Sequence, residues 1–465
     1  MDLTLIVALV IGLALFFDFT NGFHDTANAM ATPIATGALR PRTAVALAAA
    51  LNLVGAFLST EVAQTISGGL IRGEGDHVSI TPPLVLAGLV GAITWNLVTW
   101  LLGIPSSSSH ALFGGLIGAT IVGTWQLGSI DYGVLLGKIA LPAVLSPLVA
   151  GLVAYCSTRL AYRITRRNDG LPDGRSGFRY AQIFSSSLVA LSHGTNDAQK
   201  TMGVITLLLI SADLQPAGQP GPQWWVILMC ALAIATGTYT GGWRIIRTLG
   251  RGLTEVKPAQ GFASETATAA TILASSHLGF ALSTTQVASG SVIGSGLGRR
   301  GGQVRWGMAG RIALGWLFTL PVAAVVGGAT ALIARLGTAG LVIDLIIAIV
   351  VIVIVFRINA RRRVTSEHLK VLAEAEVAHT AALTISINRQ PKHPHDHDGT
   401  PELEQGAGQP PILPAGLPAR PPADAQRDAN RAPESTSDAE AAREPAPEPQ
   451  PVRDRGPGRQ NGEQR

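Results

Sequence analysis

Residues 21–33 read NGFHDTANAMATP, and residues 192–204 read SHGTNDAQKTMGV. Both are polar stretches set inside long apolar runs. Superposing Asp25 on Asp197 also superposes Gly22 on Gly194, at an offset of 172 residues. A second pair follows. GIPSSSSHALFGGLIG at 103–118 matches GFALSTTQVASGSVIG at 279–294 at an offset of 176. Gly103, Ser107, Gly114, Ile117 and Gly118 are identical to Gly279, Ser283, Gly290, Ile293 and Gly294. Two polar motifs recurring in the same order at nearly the same spacing describe a chain of two related halves.

The surroundings of these motifs define the fold class. Of 465 residues 47% are hydrophobic and only 14% charged, against about 25% charged in soluble domains. The charge is uneven: residues 371–465 hold 25 of the 65 acidic and basic side chains, and 15 of the 28 prolines lie in 391–465. An apolar body with a polar tail excludes an ordinary cytosolic enzyme and a nucleic-acid-binding domain. The two cysteines, Cys156 and Cys230, both sit in apolar runs and imply no disulfide framework. No GxxxxGK[ST] or HExxH pattern occurs, so no nucleotide-driven pump or metalloenzyme is expected, and no resident metal or cofactor. The start, MDLTLIVALV, lacks a basic n-region and reads as a retained membrane segment.

The expected fold is all-α and polytopic. Apolar segments fall at 3–37, 43–70, 84–102, 106–128, 133–158, 181–210, 224–243, 264–282, 283–298, 307–336 and 339–356. The polar motifs, with Gly22 and Gly194, predict that the first and sixth are interrupted helices; the hydroxyl runs predict that the fourth and ninth are re-entrant. Arginines gather at Arg40 and Arg42, in loop 160–180, at Arg244, Arg247 and Arg251, at Arg299, Arg300 and Arg305, and from Arg357 on. The positive-inside rule places these in the cytoplasm, with an external N-terminus, a cytoplasmic tail and a cell-membrane location. Segment one then runs inward and segment six outward, so the halves are inverted repeats. The expected units are 1–160 (first repeat), 161–180 (basic linker), 181–336 (second repeat), 337–363 (a last helix with its basic end) and 364–465 (a disordered tail). His393, His395 and His397 in that tail offer a weak metal site or merely a solvated cluster.

Asp25 and Asp197 carry the chemistry. An ionised carboxylate inside a bilayer costs about 2.5–3.5 kcal/mol on insertion scales and is normally paired. Thr20, Asn21, His24, Thr26 and Asn28 surround the first; Ser192, His193, Thr195, Asn196, Gln199 and Lys200 surround the second. The alternative is a polar helix–helix contact, which duplication makes less apt. Ser106 to Ser109 and Ser283, Thr284 and Thr285 each precede a small-residue helix. Hydroxyls and free N–H groups at a helix N-terminus bind oxyanions, although simple N-capping is the competing reading. Inverted repeats with broken helices are an architecture of secondary transporters, which bind substrate at the midplane. Asp18, Glu61, Glu265, Lys138, Arg311, Asp344, His110 and His277 are further ionisable residues, each a proton site, a gate or an interfacial side chain.

GFHDTANA at 22–29 and SHGTNDAQKTMG at 192–203 resemble the motifs of the inorganic phosphate transporter (Pit) family. The serine-rich loop at 105–110, LSTTQ at 282–286 and GTYTGGWRIIRTLG at 237–250 support this, and the resemblance spans about residues 10–356. It implies import of inorganic phosphate with a cation. By motif position it implies a core site of Asp25, Asn28, Asn196 and Asp197, with Ser107, Ser108, Ser109, Ser283, Thr284 and Thr285 contacting phosphate. His24 stands where Asn196 stands in the second half. Sodium-coupled members commonly have Asn in both places, so the resemblance points to proton coupling through His24, Asp25 and Asp197. Sodium coupling, a divalent metal carried with phosphate, and a sulfate permease of the same fold are the alternatives. A receptor subunit and a channel are rivals of another class. A homodimer is compatible with such a body.

Overall fold

The computed structural model describes residues 3–71, 80–168, 176–216, 218–219, 221–361, 365–367, 369 and 371. The His393, His395 and His397 cluster, the polar tail from 372 on, Arg72, Arg175, Arg362 and Arg363 lie outside the described residues.

The described residues are predominantly helical. The first half contains α1 (Leu3–Ala35), α2 (Pro41–Gly55), α3 (Glu61–Gly69), α4 (Pro82–Leu102), α5 (Ser108–Thr124), the single turn α6 (Tyr132–Val134) and α7 (Leu141–Asn168). The second contains α8 (Ser176–Ser211), α9 (Trp224–Thr240), α10 (Trp243–Arg247), α11 (Pro258–His277), α12 (Thr284–Gly298), α13 (Trp306–Ala334) and α14 (Thr338–Arg361). Among the described residues extended pairing is limited to two isolated bridges, Ile71–Ile130 and Thr254–Val304. Helices α1, α4, α13, α14 and the run Tyr132–Ile164 are long and apolar enough to cross a bilayer; α9 continues through Trp243–Gly252 after a bend of 59°. At 15–17 residues, α2, α5 and α12 fall short of the ~20 needed for a crossing.

Two expectations are corrected. Segment 43–70 is not one helix: it breaks at 56–60 into α2 and α3, and Glu61 begins α3 as an exposed residue. The motif helices α1 and α8 are not interrupted at Gly22 or Gly194 but run unbroken through them. Their hydroxyls fold back on their own helix, as Thr26 does on the Gly22 carbonyl at 2.6 Å and Thr195 on that of Leu191 at 2.9 Å. The glycines serve close approach instead. A Cβ on Gly22 would lie 2.3 Å from the Ile234 carbonyl oxygen of α9, and one on Gly237 would lie 2.1 Å from that of Phe19. A Cβ on Gly194 would lie 2.3 Å from the Asn52 oxygen of α2, and one on Gly55 would lie 2.2 Å from that of Leu191. The first helix of each half therefore packs on a helix of the other half through the same pair of small-residue contacts.

The hydroxyl-capped helices interlock in the same manner. On α5, Gly114 and Gly118 press on the Leu320 and Ala324 oxygens of α13 (2.4 and 2.0 Å from an added Cβ). On α12, the equivalent Gly290 and Gly294 press on the Pro147 and Gly151 oxygens of α7 (2.4 and 2.0 Å). Each half thus supplies a long helix to the other's short one. Both short helices are preceded by a left-handed glycine, Gly103 (φ 67°) and Gly279 (φ 68°), which terminates α4 and α11. Ile104 N–H donates to Thr99 O at 2.9 Å, and Phe280 N–H to Ser275 O at 3.0 Å. The same closure of orphan carbonyls therefore turns the chain towards both hydroxyl runs.

Candidate functional site

These turns aim α5 and α12 at the middles of α1 and α8. The ten residues singled out by sequence, with His24, are all buried (0–7% exposed). Asp25 lies on α1. Its Oδ1 is 2.5 Å from His24 Nδ1 and accepts from the Thr285 hydroxyl at 3.1 Å. Its Oδ2 accepts from Ser108 at 2.9 Å and Thr284 at 3.4 Å. Asp197 lies on α8. Its Oδ2 accepts from Thr284 at 2.8 Å and lies 2.8 Å from His193 Nε2. Its Oδ1 contacts the Lys200 ammonium directly and accepts from Asn196 Nδ2 at 3.4 Å. One hydroxyl, Thr284, therefore touches both carboxylates. Donor atoms of Asp25, His193 and Asp197 all fall within 4.8 Å of one another, a set able to hold a cation.

The remaining predicted residues divide by what their polar atoms do. Asn28 donates to Thr284 and Thr285 at 3.3 and 3.1 Å, while its Oδ1 is buried without a hydrogen-bond partner. Asn196 donates to the Leu282 carbonyl at 3.2 Å, and its Oδ1 is likewise unpartnered. Ser109 donates to that same carbonyl at 3.2 Å. Ser107 and Ser283 are N-caps: their hydroxyls accept from His110 N–H at 3.1 Å and Gln286 N–H at 3.3 Å. The competing capping reading therefore holds for those two positions, whereas Ser108, Thr284 and Thr285 face the carboxylates. His110 and Gln286, which stand opposite one another in the repeat, line an apolar cavity of about 760 Å³ bordered by α7, α12 and α13.

Sequence reasoning placed Lys200 and His193 only in the neighbourhood. Their spacing from Asp197, three residues on and four back, is the helical signal that puts all three on one face. His193 Nδ1 also lies 3.3 Å from Asn52 Oδ1, and His24 Nε2 lies 3.4 Å from Thr99 and Ser106. Glu265 forms a separate buried knot on α11. It accepts from Ser185 at 2.5 Å and Gln182 at 3.2 Å, and from Thr32. Asp18 and Asp344 are buried with no hydrogen-bond partner among the described residues.

Several bilayer-length apolar helices, with a hydroxyl-lined ion-pair cluster buried among them, are the arrangement of a multi-pass membrane protein. A family model described as the phosphate transporter family matches residues 21–327, and the chain belongs to that family. It is 59% identical over 333 residues to the "probable low-affinity inorganic phosphate transporter" of Mycobacterium tuberculosis (strain ATCC 25618 / H37Rv), covering 71% of this chain and 78% of that one. Similarly named relatives are those of Mycobacterium leprae (strain TN), 53% identical over 84% of this chain and 92% of that one, and Bacillus subtilis (strain 168), 40% identical over 70% and 97%. A solved structure, "the sodium-dependent phosphate transporter", shares the fold at 24% identity with a TM-score of 0.62, covering 71% of this chain and 99% of that one.

Proposed function

We propose that the chain imports inorganic phosphate with a cation by alternating access, and that the cluster around Asp25 and Asp197 is its binding site. One observation carries this reading: the carboxylates of both halves share a single hydroxyl, Thr284. The surrounding hydroxyl donors, Ser108, Thr284 and Thr285, are neutral and can turn from carboxylate to phosphate, and the Asn28 amide, which donates to the two threonines, stands beside them. A carboxylate beside them accepts from a P–OH group, which sulfate lacks at neutral pH. Two carboxylates face one ammonium, so an incoming anion needs further positive charge. An inside-negative potential of 100 mV also opposes each negative charge by about 2.3 kcal/mol.

The coupling ion in this reading is a proton held by the His24–Asp25 pair, whose atoms lie 2.5 Å apart. Sodium is the second reading, favoured by the two carboxylates of the Asp25, His193 and Asp197 set and by the sodium-dependent protein of like fold. The paired glycine contacts of α1 with α9 and of α8 with α2 support two symmetry-related halves, and the arginine distribution supports their inversion across the membrane, with the N-terminus outside and the tail cytoplasmic. The test is uptake of labelled phosphate or sulfate into proteoliposomes under imposed proton or sodium gradients, with and without magnesium. Phosphate uptake collapsing with the proton gradient is expected. Uptake driven by sodium alone overturns proton coupling, a magnesium requirement makes the cargo a metal–phosphate complex, and sulfate uptake without phosphate uptake overturns the substrate.

A further inference from the structure

Lys200 is the member of the cluster in which the two halves differ most in charge. At the 172-residue offset it stands where Asn28 stands in the first half. Asn28 leaves its Oδ1 buried and unpartnered near Asp25, with its amide turned to the threonines. Lys200 instead sets a buried ammonium (1% exposed) against Asp197 Oδ1 and donates to the Leu282 carbonyl at 2.9 Å. A carboxylate oxygen with a backbone carbonyl is the oxygen set that a hard cation takes at a helix break in a transporter. Lysine is a compact point charge on a flexible stem, suited to occupy such a set.

We infer that Lys200 is a tethered cation: its ammonium fills, beside Asp197 in the second half, the place that a transported cation takes beside Asp25 in the first half. The inference rests on the cluster being the cation-coupled phosphate site proposed above. The ammonium contributes positive charge to the anion site in every cycle yet never leaves the protein. The chain therefore carries one mobile cation fewer per phosphate than a site with a free cation in each half. Replacing Lys200 by the residue of the first half restores the missing mobile cation.

The experiment compares wild type, Lys200→Asn and Lys200→Arg as full chains in proteoliposomes. It reads labelled phosphate uptake and the charge moved per phosphate under an imposed proton or sodium gradient. Lys200→Asn is expected to move one more elementary charge per phosphate, with a steeper cation dependence, while Lys200→Arg keeps the wild-type ratio. A second readout needs no transport. Sodium or lithium titrated onto purified protein should raise the thermal midpoint of Lys200→Asn by more than that of wild type, because a ligand binding only the folded state stabilises it and the variant has one more site for it. A Lys200→Asn protein with unchanged charge per phosphate and no larger cation-dependent rise in midpoint than wild type overturns the inference. So does a Lys200→Arg protein that acquires the extra cation. Wild-type protein that takes up no phosphate under any gradient overturns the function itself.

Discussion

Removing Asp197 or Lys200 separately should damage the protein more than removing both. Both side chains are buried, at 0% and 1% exposure. Asp197→Asn removes the carboxylate charge set against the Lys200 ammonium and leaves it neutral acceptors such as the Leu282 carbonyl at 2.9 Å. Breaking a buried pair by removing one partner costs about 3–5 kcal/mol. Lys200→Met should cost less, because Asp197 keeps the Thr284 hydroxyl and His193, both at 2.8 Å. The double variant buries no orphaned charge and should lie near wild type, giving a coupling energy of about 3 kcal/mol. At roughly 2 °C per kcal/mol, the low end for large domains, Asp197→Asn loses about 6–10 °C in thermal midpoint. The assay is the melting of four purified proteins in one detergent, read by intrinsic tryptophan fluorescence. A double variant whose loss equals the sum of the single losses refutes the reasoning, since the charges would then not interact.

Four further outcomes follow from the packing, the caps and the buried hydrogen bonds. Gly22→Ala and Gly194→Ala each drive a methyl into a backbone oxygen 2.3 Å away; each should lose about 1–3 kcal/mol, seen as a lower melting midpoint. Ser107→Ala removes an N-cap and should lower the midpoint by the equivalent of about 1 kcal/mol with the phosphate KM little changed. Ser108→Ala, which strips a donor from Asp25, should instead raise that KM by about tenfold in uptake assays. Glu265→Gln gives the Thr32, Gln182 and Ser185 donors one acceptor too few, and should cost about 1–3 kcal/mol of stability in the same melting assay.

The helical class was legible in the long apolar runs, and the meeting of Asp25 with Asp197 in a local signal that occurs twice. A charged residue in an apolar run needs partners, and His24 beside Asp25 and His193 and Lys200 one turn from Asp197 supply them. The starts of α5 and α12 were legible for the same reason, through a glycine that ends one helix and hydroxyls that open the next. What sequence could not resolve depends on long-range contacts. Gly22 and Gly194 carry the same letter whether they permit unwinding or close packing; only Ile234 and Asn52 across the interface decide. The break between α2 and α3 lies in AFLSTE, which is apolar enough to pass for a span. Ser107 and Ser108 are adjacent and chemically identical, yet one closes a backbone N–H and the other faces a carboxylate, a difference of helical phase.

The Leu282 carbonyl has a consequence for motion. It accepts from Ser109 of the first half and from Asn196 and Lys200 of the second, at 3.2, 3.2 and 2.9 Å. A peptide oxygen has two lone pairs, so three donors compete for one atom. Sliding the α5 tip away from α8 frees Ser109 and lets the other two tighten; sliding it back loosens them. This rivet tells the ammonium, and through it Asp197, where the opposite half stands.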